Sequence, residues 1–278
     1  MQKSGILISL LLNSVVLLMN SIIIITTALL VLLCSVFSCS GQNVRFTRSG
    51  MIEFDRRINV HAVVTKRFSK DKSSYIVEVI DQIKKNQPQF KVLKSELYFS
   101  DNKTLFKPLQ GEDKSVPWLE GDPTLKQINT VYTDLTTGQQ VTQKSVFEEL
   151  FLLKDTLRKI NWKITNEMRE IAGFNCRRAN AVVMDSVYVV AFYAEQIPVS
   201  GGPESFAGLP GMILGLALPH DNTTWFATKV TDTPVESKTV APPLKGKATD
   251  QKGLLLVINK ATRSWGEYFK AMIRFFML

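Results

Sequence analysis

The chain has 278 residues, 34 Lys and Arg against 25 Asp and Glu, and a formal net charge of +9, with hydrophobic residues making up 45%. That is enough sequence for a substantial core, while two histidines rule out a three-histidine zinc centre within one copy. The basic balance suits association with an anionic surface or partner, but no aromatic-basic signature accompanies it, so nucleic acid is not an expected partner.

Lys3 is the only charge before Arg45, and residues 6–37 form a long apolar run that ends in the small residues Ser38, Cys39, Ser40 and Gly41. This pattern is expected to direct export and to be removed, so that residues 1–41 form a signal segment. A start at Met19 would give a more ordinary signal length. The Val36-Phe37-Ser38-Cys39 stretch resembles a lipoprotein box in which Phe37 is bulkier than the usual pattern, making Cys39 a lipidation candidate; soluble export and a retained anchor are the other outcomes. Cys176 is then the sole thiol of the mature domain, read as a buried apolar side chain ahead of a nucleophile.

From residue 42 to residue 260 the pattern predicts a β-rich domain. Val44–Thr65 reads as extended, Ser74–Ile80 as a β-rich run, and Phe90–Tyr98 and Thr130–Thr136 as strands. Residues 101–127 between them are polar and turn-rich, which suggests a surface loop. Lys144–Leu152 fits a strand or a short helix. Strands are again expected at Trp162–Ile164, Phe174–Ala179, Ser186–Tyr193, Met212–Leu218 and Thr224–Thr233, with the VVAFY run apolar enough to be covered on both faces. Residues 236–252 read as a Pro/Gly/Lys-rich connection leading to a strand at LLLVI.

Within this pattern, IPVSGGPESFAGLPGMILGL from Ile197 to Leu216 places five glycines and three prolines in apolar sequence. Gly202, Pro203, Gly208, Pro210 and Gly211 are therefore backbone-shaping candidates. The segment reads either as a buried turn closing a sheet edge or as a recognition loop that presents Phe206 or Leu209 to an apolar partner. It lacks the GK[ST] ending of a phosphate loop.

Other candidates are weaker. His220-Asp221 has the residue types of a metal or acid/base site, Glu167 and Glu170 those of an acid pair, and Arg177-Arg178, Lys84-Lys85 and Lys245 with Lys247 those of anion contacts, but all read more simply as solvent-facing. No metal or cofactor is expected. Residues 261–278 form an expected amphipathic C-terminal helix, with Trp265, Phe269, Met272 and Phe276 recurring at helical spacing; Trp265, Phe269 and Phe276 are binding candidates unless the domain core covers them.

WKITNEMREIAGFNCRRANA followed by VVAFYAEQIPVSGGPESFAGLPGMIL resembles the signature region of the GLPGLI family of exported Bacteroidetes proteins, clearest over Trp162–Leu216. The departure is Met212-Ile213-Leu214 after GLPG, where the family name leads one to expect Leu and Ile. The resemblance implies an exported or envelope-associated β-rich protein and assigns no activity.

The expected fold is predominantly antiparallel β, a curved open sheet or compact sandwich with a C-terminal amphipathic helix. The expected function is noncatalytic envelope binding or assembly, as an accessory subunit of an outer-membrane or periplasmic protein complex. A periplasmic carrier of a lipid or other amphipathic ligand and a secreted hydrolase are the alternatives. Periplasm, or the periplasmic face of the outer membrane, is the expected location.

Overall fold

A computed structural model describes residues 18–27, 47–109, 122–126, 128–263 and 273–278. The chain divides into two compact units, Met1–Val44 and Arg45–Leu278. In the first, residues 18–27 are helical and exposed. Among the described residues no helix is long and apolar enough to cross a membrane. Cys39, Trp265 and Phe269 lie outside the described residues.

The second unit is built on an open twelve-stranded sheet, ordered β12-β6-β5-β4-β3-β2-β1-β11-β10-β9-β8-β7. Its strands are β1 (Gly50–Asn59), β2 (Phe90–Ser100), β3 (Lys103–Pro108), β4 (Asn129–Asp134), β5 (Gln139–Val146), β6 (Glu149–Thr156), β7 (Lys163–Ile171), β8 (Phe174–Val183), β9 (Val187–Ala194), β10 (Met212–Leu218), β11 (Thr223–Thr231) and β12 (Lys247–Thr249). Every neighbouring pair is antiparallel except β12 with β6.

Tight turns set this register. Asp101-Asn102, Phe147-Glu148 and Ala172-Gly173 each connect two strands with both residues at positive φ, the backbone twist that suits a two-residue hairpin. Between β4 and β5 the Asp134 carboxylate accepts from the amides of Thr136 and Thr137 at 2.9 and 3.1 Å, an Asx-type turn.

Three predicted strands are helices. Val60–Arg67, expected to continue the extended run, is α1, because the Asn59 side chain caps it by accepting from the Ala62 amide at 3.0 Å. Ser74–Asn86 is α2, capped by Ser73; its Ile76, Val79, Ile80 and Ile83 follow a 3.6-residue spacing that the β-branched composition obscured. The LLLVI segment belongs to α3 (Gln251–Ala261), where Asp250 accepts from the Gly253 amide at 2.7 Å and Leu254 and Ile258, four residues apart, are buried. In the opposite sense, the supposed loop of residues 101–127 contains β3.

The principal core packs β1, β2 and β8 to β11 against the 197–209 loop. Strands β9 and β10 are buried along almost their whole length, in keeping with apolar sequence on both faces. A second cluster joins β5 and β6 to α3 and to Phe276 and Met277, and a third seats α1 and α2 beside Ile58 and Leu125.

Candidate functional site

The Gly/Pro-rich loop lies inside the protein. Phe206 and Leu209 are 2% and 1% exposed, so neither presents a surface for a partner; the expectation of an exposed recognition loop is corrected by their packing in the main core. The loop is held from both sides: Trp162 Nε1 donates to the Ala207 carbonyl at 3.0 Å, and the Gly208 amide donates to Ser200 O at 2.9 Å. Gly208 has φ +95°, and a side chain at Gly211 would collide with the Ala194 carbonyl, which is the physical reason for glycine at each. Gly202 and Pro203 are buried in the same turn, and Pro210 is exposed.

The loop also carries Glu204 into the interior, at φ +55° and 7% exposed. Asn129 Nδ2, on β4, donates to its Oε2 at 2.8 Å. Burial pushes the carboxyl above the usual carboxylate range, opposed by the Arg56 charge, the Asn129 hydrogen bond and the Lys144 charge. Burial likewise depresses both cations, Arg56 to about 10 and Lys144 to about 8. Arg56 donates to Thr124 O at 2.8 Å and lies 4.9 Å from the Trp225 ring centroid. These three charges, drawn from β1, β5 and the loop, tie distant parts of the sheet together.

A surface cleft of about 590 Å³ opens nearby, between α1 with its following turn and the β10–β11 connection. Val63, Phe68 and Phe275 supply apolar wall; Lys66, Arg67, Lys70 and Arg274 supply cations; Asp71, His220 and Asp221 complete the polar lining. Arg67 is committed to Asp122, with Nη2 also donating to Thr124 Oγ1 at 2.9 Å. Arg274 pairs with the buried Asp221 carboxylate, which burial shifts upward against the charges of Arg274, Lys66 and His220. Lys66 donates to the His220 carbonyl. Among the described residues neither Lys66 nor Lys70 forms an ion pair, so two ammonium groups beside apolar wall keep the capacity to meet an anion.

The sequence candidates are distributed differently. His220 and Asp221 both line the cleft, but Asp221 faces Arg274, and the His220 ring packs 6.3 Å from that of Tyr188. Glu167 pairs with Arg178 at 2.5 Å on the exposed side of β7 and β8, and Glu170 is exposed on the same strand. Arg177 faces Glu195 at 3.7 Å, Lys84 and Lys85 lie in the last turn of α2, and Lys247 lies 3.9 Å from Glu149 while Lys245 gives its carbonyl to Gln143. These basic pairs do not converge on one site. Cys176 is fully buried, and desolvation lifts its thiol to about 12, far from a reactive thiolate. Phe276 is 4% exposed, covered by the β5–β6–α3 cluster of the same chain. Among the described residues no group of three or more His, Cys, Asp or Glu side chains is placed to hold a metal ion.

Lys66, Arg67 and Lys70 were not singled out from the sequence. Their signal was the TKRFSKDK run, which alternates cations with an aromatic at the end of a helix that read as strand.

The fold and the cleft define a class: an open antiparallel β-sheet domain carrying a cationic, partly apolar cleft at one end of its helical layer. Residues 179–215 match the family described as "Protein of unknown function (Porph_ging)", a match that runs from β8 through the Gly/Pro-rich loop into β10. No curated protein matches the chain. Among solved structures, PNGF-II in a C2 crystal form is similar at 13% identity over 73% of this chain and 31% of that one, with a TM-score of 0.46. PNGF-II in a P21 form gives 14% identity over 73% and 32%, with a TM-score of 0.45. An uncharacterized conserved protein from Thermus thermophilus gives 5% identity over 76% and 99%, with a TM-score of 0.36. This chain spans about a third of the length of PNGF-II.

Proposed function

We propose that this is a noncatalytic envelope binding protein that holds an anionic amphipathic molecule in the cleft beside α1. The single observation that carries the reading is the combination, within about 590 Å³, of the apolar wall of Val63, Phe68 and Phe275 with the ammonium groups of Lys66 and Lys70, which form no ion pair among the described residues. A volume in the usual ligand range with few placed polar groups is the general form of a small-molecule site. An acyl or aryl body against the apolar wall and a carboxylate or phosphate at the lysines satisfy both halves of it.

Of the readings weighed from the sequence, this joins envelope binding to the amphipathic-ligand carrier. It departs from the accessory-subunit reading because the loop side chains expected to meet a protein partner are core. Hydrolysis draws less support: Asp221 is engaged by Arg274, Glu204 is enclosed, and the Cys176 thiol is held neutral. The envelope location rests on the apolar run of residues 6–37 and on the resemblance of Trp162–Leu216 to the exported GLPGLI family. Native mass spectrometry of the protein released from its own envelope tests the function. A retained anionic lipid or fatty acid supports it, and a ligand-free monomer that takes up no dodecanoate contradicts it.

A further inference from the structure

A second, open groove of about 460 Å³ runs between α1 and the end of α2. Ala62, Thr65 and Lys66, which share one face of α1 by their spacing of three and four residues, form one wall with the following Ser69; Lys84 of α2 and Gln89 form the other. The groove is tied in place across its base. His61 Nε2 donates to the Gln87 carbonyl at 3.0 Å and the Val60 amide to Gln89 O at 2.9 Å, which joins α1 to the chain between α2 and β2. Lys66 and Ser69 line both this groove and the cleft, so the two run together. Among the described residues no acidic side chain lines the groove, Lys84 forms no ion pair, and the Thr65 and Ser69 hydroxyls bond no protein group.

We propose that this groove receives the head group of the amphiphile, and that the head group is a phosphate ester carrying free hydroxyls. The inference rests on the amphiphile reading and extends it. A chain laid on Val63, Phe68 and Phe275 brings its polar end to Lys66, where cleft and groove meet. A simple carboxylate ends there and leaves Lys84 and the hydroxyl-lined wall unused. A phosphate offers more acceptor oxygens to two ammonium groups, which bind it as point charges without a fixed fork geometry. The side chains of Thr65, Ser69 and Gln89 each donate and accept, so they match the hydroxyls of a polyol ester better than a bare phosphate. Ala62 leaves the space, since a larger side chain on that wall would occupy the groove.

Calorimetry on the full chain compares dodecanoate, lauroyl-lysophosphatidylglycerol, which carries the same acyl chain, and sn-glycerol 3-phosphate, which carries none. With both lipids below their micelle concentrations, the lysolipid is expected to bind about tenfold more tightly than dodecanoate, and glycerol phosphate about a hundredfold more weakly than the lysolipid. Lys84→Gln and, in a separate protein, Ala62→Leu should each bring the lysolipid down to the affinity of dodecanoate, the first by removing charge and the second by filling space. Neither position is buried, and Gln and Leu both favour helix, so the two variants are expected to fold. Equal binding of the two lipids by the parent, or a preference for the lysolipid that survives both substitutions, overturns the head-group site and leaves the amphiphile cleft standing. Glycerol phosphate bound as tightly as the lysolipid overturns the lipid assignment in favour of a free phosphate ester. A folded parent that binds neither lipid refutes the amphiphile reading and this inference with it.

Discussion

Asn129 Nδ2 donates to Glu204 Oε2 across 2.8 Å with both residues buried, so a β4 side chain fixes a carboxylate that the Gly/Pro-rich loop delivers into the interior at positive φ. The carboxylate is balanced by Arg56 and Lys144, and removing one member of a buried set leaves the others uncompensated. Glu204→Ala is expected to destabilise the protein by about 3 kcal/mol in denaturant unfolding. Glu204→Gln, which retains an acceptor for Asn129, should lose less. Equal losses would show that charge and not the hydrogen bond dominates.

Lys144 gives this cluster a pH signature. Its ammonium is held at about 8 against an ordinary 10.5, so the folded state binds that proton less tightly than the unfolded state. Folding is therefore opposed below pH 8 by roughly 3 kcal/mol, and the penalty is relieved as pH rises from 8 toward 10.5. The stability difference between the parent and Lys144→Met should accordingly shift in favour of the parent across that window. Urea unfolding of both proteins at about pH 7, 8, 9 and 10 checks it, and a flat difference would mean that the amine is solvated in the native state.

The loop residues should behave as architecture. Gly211→Val drives a side chain into the Ala194 carbonyl, and Gly208→Val puts a β-branched residue at φ +95°, so both should lower the melting temperature. Phe206→Ala empties a site that is 2% exposed and is expected to cost about 3–5 kcal/mol. Thermal unfolding of the three variants decides the point; a Phe206→Ala protein as stable as the parent would return that ring to the surface.

Much of the sheet was legible in the sequence because most of its strands are half-buried and alternate, and because β9 and β10 are apolar throughout. Strand closure was not, since a period of two residues fixes which face is buried and not how many strands join. The helices were missed where β-branched residues dominate composition: Ser74–Asn86 is rich in Ile and Val, yet its Ser73 cap and helical spacing decide its state. The cleft was illegible for a related reason. Lys66 and Lys70 become neighbours of His220 and Arg274 only through pairing of β1 with β11 and the path of the chain beyond α3, neither of which local spacing records. Phe276 reads as a binding candidate unless the core covers it, and that its own chain supplies the cover depends on long-range contacts with β5 and β6 that local spacing does not record.

The cleft assignment is tested most directly by titrating dodecanoate and dodecanol into the parent protein and a Lys66→Glu/Lys70→Glu variant by calorimetry. Both lysines line the cleft without an ion pair among the described residues, but Lys66 donates to the His220 carbonyl and its charge favours the buried Asp221 carboxylate, so the reversal is expected to lower the melting temperature and binding is compared at a temperature where both proteins are folded. The account predicts that the parent binds dodecanoate at least about tenfold more tightly than dodecanol, and that the variant loses this preference while keeping weak affinity for the alcohol. Equal binding of dodecanoate by parent and variant, or no binding by a folded parent, would contradict it.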